Sequence, residues 1–246
     1  MYRIVKTKAV VLKKINYGDT SIIASLYSEN LGRISAILKG ARKSKTKQGF
    51  IIDPINLVEI VLYNKMNREV QLISSSDLLS NYSNIKEDIE KLKYAYATIE
   101  LIQNLTVEGE KDLRLFKGLV KIFELFNTSN EFPGVIFCRF FFFFIKELGY
   151  QFSLKKCTVC GKEDISNEDY IFNFETGLLC PNCKKDYLST VEINQELFNF
   201  FACLRSNKKI INNVEKLSSK AVYFMETYLK YHINTFKGLK SIKLIS

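Results

Sequence analysis

The apolar residues of this chain change their spacing once, near residue 83, and that change limits the fold class more than any other feature. Upstream, they fall in short blocks. RIVKTKAVVLKKI ends at NYGD, TSIIASLY ends at SENLG, and RISAILK runs into a basic stretch; INLVEIVLY and EVQLISS follow Pro54, with NKMNR between them. Blocks rich in Ile, Val, Leu and Tyr, punctuated by Gly, Asn, Asp and Pro, predict strands. Five strands in about eighty residues, with no helical spacing among them, fit a small barrel such as the five-stranded OB-fold. An SH3-like barrel gives a similar string, so strand counting leaves both open.

Downstream the spacing is helical. Ile85, Ile89, Leu92, Tyr96 and Ile99 recur at three and four and define one helix face, with Asn84 and Glu87 as a capping box at its start. A second helix is predicted over 110–127, with Leu113, Phe116, Val120 and Phe123 on one side. A third starts near Pro133 and stops at Gly149. It is apolar nearly all round and is therefore expected at the centre of a helical domain. Residues 193–205 and 213–235 are again helical in pattern. The expected architecture is α+β and multi-domain: an OB-fold barrel over 1–80, a helical domain over 81–150 and 186–246, and an inserted four-cysteine zinc module over 151–185.

That module rests on CTVCGK and LCPNCKK, which place Cys157 and Cys160 in one pair and Cys180 and Cys183 in another, with nineteen residues between the pairs. Two Cys-x2-Cys turns at such a separation match a four-cysteine zinc site, each turn aiming two thiolates at one tetrahedral ion. Two disulfides or a redox pair are the alternatives. Four thiolates saturate the ion, so one structural zinc and no catalytic metal is expected. Lys155, Lys156, Lys162, Lys184 and Lys185 offset its negative charge or contact a polyanion. Cys138 and Cys203 fall in apolar helix patterns and are expected in the core.

Charge is uneven. Of a net +10, residues 1–80 hold 13 Lys/Arg against 6 Asp/Glu and residues 205–246 hold 9 against 2, while the middle is acidic. Within the first block, LKGARKSKTKQG gathers Lys39, Arg42, Lys43, Lys45 and Lys47 with no acidic residue from Asn30 to Ile52. A membrane partner fits poorly. No signal peptide is visible, and VIFCRFFFFFI is too short to span a bilayer and contains Arg139, so a cytoplasmic protein is expected. The basic stretch lacks the Gly-Lys-Ser/Thr ending of a phosphate-binding loop. His232 is the single histidine and no catalytic motif surrounds it, so an enzyme is not expected.

The segment YGDTSIIASLYSENLGRISAILKGARKSKT (17–46) resembles the N-terminal signature of the RecO family of bacterial recombination mediators. The order of parts agrees along the whole chain: a barrel, an apolar helix ending ELGY, a four-cysteine module and a last helix leading into GLKSIKL. Ser21 departs from the acidic residue expected there. The resemblance implies a protein of DNA repair and recombination that binds single- and double-stranded DNA and anneals complementary strands without ATP. It implies action with RecR, and in some settings RecF, to help RecA replace the single-stranded-DNA-binding protein.

On that basis Arg33, Lys39, Arg42, Lys43, Lys45 and Lys47 are expected to follow the phosphate backbone. Phe50, Tyr17 and Tyr27 are candidates to stack on bases, with core packing or a plain surface ring as the simpler role. The basic tail (Arg205, Lys208, Lys209, Lys216, Lys220, Lys237, Lys240, Lys243) would take a second strand or the acidic tail of the single-stranded-DNA-binding protein, or be a solvated helix face. The competing function is an RNA- or ribosome-binding barrel with a zinc ribbon. An enzyme with an unrecognised site would show itself by metal-dependent cleavage.

Overall fold

The computed structural model describes residues 3–43, 48–65, 67–163, 170–186, 190–206 and 212–244. The first elements are β1 (Arg3–Tyr17), β2 (Ser21–Ser28), β3 (Gly32–Leu38), the single turn α1 (Gln48–Ile51), β4 (Leu57–Asn64) and β5 (Val70–Ser80). There follow α2 (Ser83–Lys86), α3 (Ile89–Leu105), α4 (Leu113–Thr128), α5 (Pro133–Glu147), β6 (Tyr170–Asn173) and β7 (Gly177–Leu179). A 3-10 helix (Pro181–Asp186), β8 (Thr190–Ile193), α6 (Gln195–Ser206), α7 (Val214–His232) and α8 (Lys240–Leu244) complete the described chain.

The five N-terminal strands close into a barrel in the order β1-β2-β3-β5-β4. Strand β1 is long enough to serve two partners, pairing with β4 along its first half and with β2 along its second. A bulge between Val11 and Lys13 bends it from one to the other. Strands β3 and β5 pair in parallel, whereas every other barrel pairing is antiparallel. This order, with α1 lying between β3 and β4, is that of the OB-fold, which settles the choice left open by strand counting. Inward-facing Ala9, Val11, Ile22, Ala24, Leu26, Ile34, Ala36, Leu38, Val58, Ile60, Leu62 and Ile73 fill the interior.

Two compact units divide the chain: Met1–Asn130 with Leu239–Ser246, and Glu131–Gly238. In the first, the barrel is tied to α2 through Asp53. Its carboxylate takes Lys14 of β1 at 2.6 Å and Lys86 of α2 at 3.0 Å, and Lys86 also donates to the buried Asn56 at 2.7 Å. A second joint lies at Gly32, whose φ of +66° suits glycine, and where a Cβ would come within 1.9 Å of the Glu110 carbonyl oxygen. The expected capping box does not start the long helix. Asp88 caps α3 instead, accepting from the N–H groups of Glu90 and Lys91 at 2.9 and 3.1 Å, while Asn84 belongs to α2 and hydrogen-bonds Asn127. The buried face of α3 is also rotated from the expected one. Ile89 and Tyr96 are 60% and 38% exposed, and Tyr94, Ala95, Ala97, Thr98, Ile99, Leu101 and Ile102 face inward. The small side chains at 95, 97 and 98 allow that close packing, and a pattern search for large apolar residues passes over them.

In the second unit, α5 is buried along most of its circumference, as expected, and ends with Gly149 at φ +84°. Arg139 is not free within it but forms a two-pronged pair with Glu131. Cys138 is fully buried and its thiol donates to the Ser218 carbonyl of α7 at 3.6 Å. Burial pushes that thiol up, which keeps it protonated. The three-stranded sheet runs β7-β6-β8, and Phe172 of β6 meets Phe152, Phe224 and Tyr228 at ring-centre distances of 5.1–6.0 Å.

Asp53 yields a stability test. Burial raises its carboxyl, but the hydrogen bonds and charges of Lys14 and Lys86 outweigh that and hold it below the usual carboxylate range. A group with a lowered folded pKa stabilises above its ordinary value, about 4, and loses that contribution as pH falls through the folded value. Because the pair is partly solvated, Asp53→Asn is expected to cost on the order of 1 kcal/mol at pH 7. Urea unfolding at pH 7 and pH 3 checks this: the gap between variant and wild type shrinks at the lower pH.

Candidate nucleic-acid interface and metal centre

Strand β3 separates the predicted cations. Arg33 stands at its start and Lys39 just beyond its end, about 20 Å apart at strand rise. Arg33 is half-buried and turned toward the segment after α3. Its Nη2 donates to the Thr106 carbonyl at 3.0 Å, and its own carbonyl accepts from the Gly109 N–H at 2.8 Å. This guanidinium serves as a joint within the unit.

Lys39, Arg42 and Lys43 lie together at the other end. Lys39 is exposed. The Arg42 guanidinium donates to the Gly18 carbonyl, and the Arg42 N–H donates to the Thr20 carbonyl at 2.9 Å. The start of the basic stretch is thereby fastened to the β1–β2 turn, and Lys43 closes back on the Gly40 carbonyl at 3.2 Å. Gly40, at φ +72°, permits that turn. Lys45 and Lys47 lie outside the described residues.

The three candidate rings differ. Tyr27 is 1% exposed and belongs to the interior, where burial, then the nearby Asp112 charge, pushes its phenol up. Tyr17 and Phe50 are 56% and 82% exposed. Phe50 sits on α1, its carbonyl held by the Asn56 side-chain amide at 3.0 Å. Sequence reasoning missed Arg68. It lines the same shallow groove as Tyr17 and Lys39, although NKMNR reads only as a break between strands. The available signal was in the strands, where β2, β3 and β5 carry large apolar residues in both phases (Ile22–Ile23, Ile37–Leu38, Leu72–Ile73).

The four cysteines converge as expected. The sulfurs of Cys157, Cys160, Cys180 and Cys183 all lie within 4.8 Å of one another and could hold a metal ion. The two cysteine turns are shaped by the backbone: the Gly161 N–H reaches the Cys157 carbonyl at 3.0 Å, and the Cys183 N–H reaches the Cys180 carbonyl at 3.0 Å. Thr158 holds one turn against β7, its N–H and hydroxyl both donating to the Leu178 carbonyl at 2.8 and 3.0 Å. All four thiols are free, and the Cys160–Cys180 sulfurs stand 3.7 Å apart, far beyond the roughly 2.05 Å of a disulfide. Burial raises the Cys157 thiol, but N–H groups from Cys160, Cys180 and Val159 outweigh it and bring it to about 6. Cys183, hydrogen-bonded to Cys180 and crowded by the other two sulfurs, is pushed up to about 12. A cluster with one thiol poised to ionise and another held protonated by its neighbours is one that a cation would complete.

Elsewhere, His232 packs against Tyr150, Tyr228 and Tyr231 at ring-centre distances of 5.5, 4.4 and 5.2 Å. In the basic tail, Lys216 and Lys220 are exposed one turn apart on α7, and Arg205 and Lys237 are exposed in the same unit. Lys240 and Lys243 are exposed on α8 in the first unit, and Lys208 and Lys209 lie outside the described residues. Among the described residues, no helix is long and apolar enough to cross a membrane.

Fold and site together define an OB-barrel protein with a basic barrel end, a helical C-terminal part and a four-thiol cluster able to take a metal. The family can be stated as well: models for the recombination protein O N-terminal and C-terminal domains match residues 1–82 and 86–241, and the chain belongs to that family. It is 31% identical to a DNA repair protein RecO of Chlorobium phaeobacteroides, over 97% of this chain and 85% of that one. It is 28% identical to one from Pelodictyon phaeoclathratiforme over 99% and 98%, and 27% identical to one from a Thermoanaerobacter species over 94% and 93%.

The cluster predicts a metal content of about one ion per chain by elemental analysis, abolished in Cys180→Ser. The variant should melt at a lower temperature yet keep its far-UV circular dichroism, because the sheet beside the cluster has its own buried residues, Ile171, Phe172, Leu178, Leu179 and Ile193.

Proposed function

We propose that this protein acts in DNA repair and recombination by holding DNA phosphates at the basic end of its barrel and annealing complementary strands without ATP. The observation that carries this is the gathering of Lys39, Arg42 and Lys43 beside the β1–β2 turn of an OB barrel, in a chain of the recombination protein O family. Contacts of this type release counterions and carry no base code, which suits action at any damaged sequence. Its proposed partners are RecR, in some settings RecF, and the acidic tail of the single-stranded-DNA-binding protein, with RecA loaded as the outcome. The proposed compartment is the cytoplasm, at the nucleoid during repair. No step requires the protein to be an enzyme.

The metal is proposed to be one zinc ion with a structural role. Zinc–thiolate bonds of about 2.3 Å give a tetrahedral edge of about 3.8 Å, close to the 3.7 Å between Cys160 and Cys180. With all four positions filled by sulfur, such an ion would fix the two turns and leave no place for water or substrate.

The deciding experiment is annealing of complementary oligonucleotides coated with the cognate single-stranded-DNA-binding protein. Acceleration by this chain without nucleotide is expected; binding without annealing would favour the RNA- or ribosome-binding reading. Separately, the Lys39→Ala/Lys43→Ala double variant is expected to flatten the slope of log K against log salt by about 1.4 on single strands. An unchanged slope removes these two residues from the interface.

A further inference from the structure

The four clustered cysteines can do chemistry besides binding a metal, and they are not equivalent. Cys157 and Cys180 are 1% and 2% exposed, Cys183 is partly exposed, and Cys160 lies open to solvent. A reagent arriving from water therefore meets Cys160 first. All four are free thiols, so each is open to oxidation.

Backbone register decides which thiol Cys160 meets. Thr158 is fastened to the Leu178 carbonyl by its N–H at 2.8 Å and its hydroxyl at 3.0 Å. The two segments approach so closely that a Cβ on Gly177, whose φ is +96°, would lie 3.0 Å from Thr158 Cγ2. Cys160 and Cys180 each lie two residues beyond that anchor, and their sulfurs stand 3.7 Å apart. A disulfide of roughly 2.05 Å needs about 1.7 Å of closure, shared between two side chains. Cys157 is otherwise engaged, because N–H groups of Cys160, Cys180 and Val159 hold its sulfur. Cys183 sits in the 3-10 helix, its N–H turned back onto the Cys180 carbonyl at 3.0 Å.

We propose that Cys160 and Cys180 are a peroxide-sensitive pair, closing into a disulfide that joins the two cysteine turns and releases a metal held there. The Cys160 sulfur attacks one oxygen of hydrogen peroxide, the O–O bond breaks, and the departing hydroxide takes the thiol proton as water. Cys160 is then a sulfenic acid. The Cys180 sulfur attacks that sulfur, the S–O bond breaks, and the second oxygen leaves as water with the Cys180 proton. Two thiols lose two electrons and two protons, and one peroxide becomes two waters. Two of four ligands go in one event, and the remaining two sulfurs do not saturate a tetrahedral ion. The neighbouring sheet keeps its buried Ile171, Phe172, Leu178, Leu179 and Ile193, so the oxidised unit stays folded and a thiol reductant reverses the change. The disulfide stands on the sulfur geometry alone; the release rests on the zinc reading above.

The test treats the full chain, zinc-loaded and zinc-stripped, with hydrogen peroxide. Thiols are then alkylated and mapped by peptide mass spectrometry, while a chelating dye reads released zinc. The thiol count is expected to fall from six to four per chain, with Cys160 linked to Cys180. Bound zinc falls from about one ion per chain to none, and far-UV circular dichroism is unchanged. Dithiothreitol with added zinc restores both. Part-exposed Cys203 and buried Cys138 are internal references that stay reduced at that point. Cys160→Ser abolishes the bridge, and Cys203→Ser leaves it. A bridge within either cysteine turn, Cys160 driven to sulfinic acid with no bridge, or oxidation of Cys203 ahead of the cluster overturns the inference. A Cys160–Cys180 bridge in a chain that takes up no zinc upholds the pair and removes the zinc reading.

Discussion

The parallel pairing of β3 with β5 is only three residue pairs long, yet the N-terminal part of the molecule depends on it. Without it, β1 to β3 and β4 to β5 would form a sheet with two open edges joined through β1 alone. With it, the barrel closes, the inward phase becomes a buried apolar interior, and β3 and β5 are not left as the two open edges of a sheet. The same three pairs set Leu72 beside Ile37. They also set the β4–β5 hairpin, with Arg68, beside the start of β3, so that one groove runs from Arg68 to Lys39. The groove is therefore a product of barrel closure and has no counterpart in any single segment of sequence.

Electrostatics divides the cations into two populations. Lys14 and Lys86 are committed to Asp53, so their charge is spent on joining elements within the unit, while the half-buried Arg33 keeps its charge but is turned onto the Thr106 carbonyl. Arg42 is an intermediate case: its guanidinium fastens one turn to another, yet the residue stays exposed and its charge is not neutralised by that carbonyl. A charge count along the chain assigns all of these to one field. Only the partners distinguish a cation that holds the fold from one that offers itself to a polyanion.

How much could be read beforehand follows from which interactions are local. The five barrel strands, the α5 ends at Pro133 and Gly149, and the four-cysteine set depend on neighbours within a few residues, or on a ligand chemistry with a known spacing, and were legible, whereas the short β6, β7 and β8 were not. The start of α3 was misplaced because Asp88 and Asn84 are both capping residues, and only the structure shows which one meets unpaired N–H groups. Arg33 was grouped with the loop cations because the Thr106 carbonyl it meets lies 73 residues away in sequence. Arg68 was overlooked for the converse reason: a lone arginine in a turn has no pattern until closure sets it on one groove with a tyrosine and a lysine.

The four-cysteine cluster shows the limit of treating a motif as a module. Spacing alone suggests an insert that folds only around its ion, as small zinc peptides do. Here β6 carries Phe172 into an aromatic core shared with Phe152, Phe224 and Tyr228, and β7 and β8 contribute Leu178, Leu179 and Ile193, all buried. That sheet has hydrophobic support of its own. What it lacks is a means of keeping four sulfurs together, since each ionised thiol raises the cost of ionising the next. A cation bound there would remove that repulsion and lock the two turns.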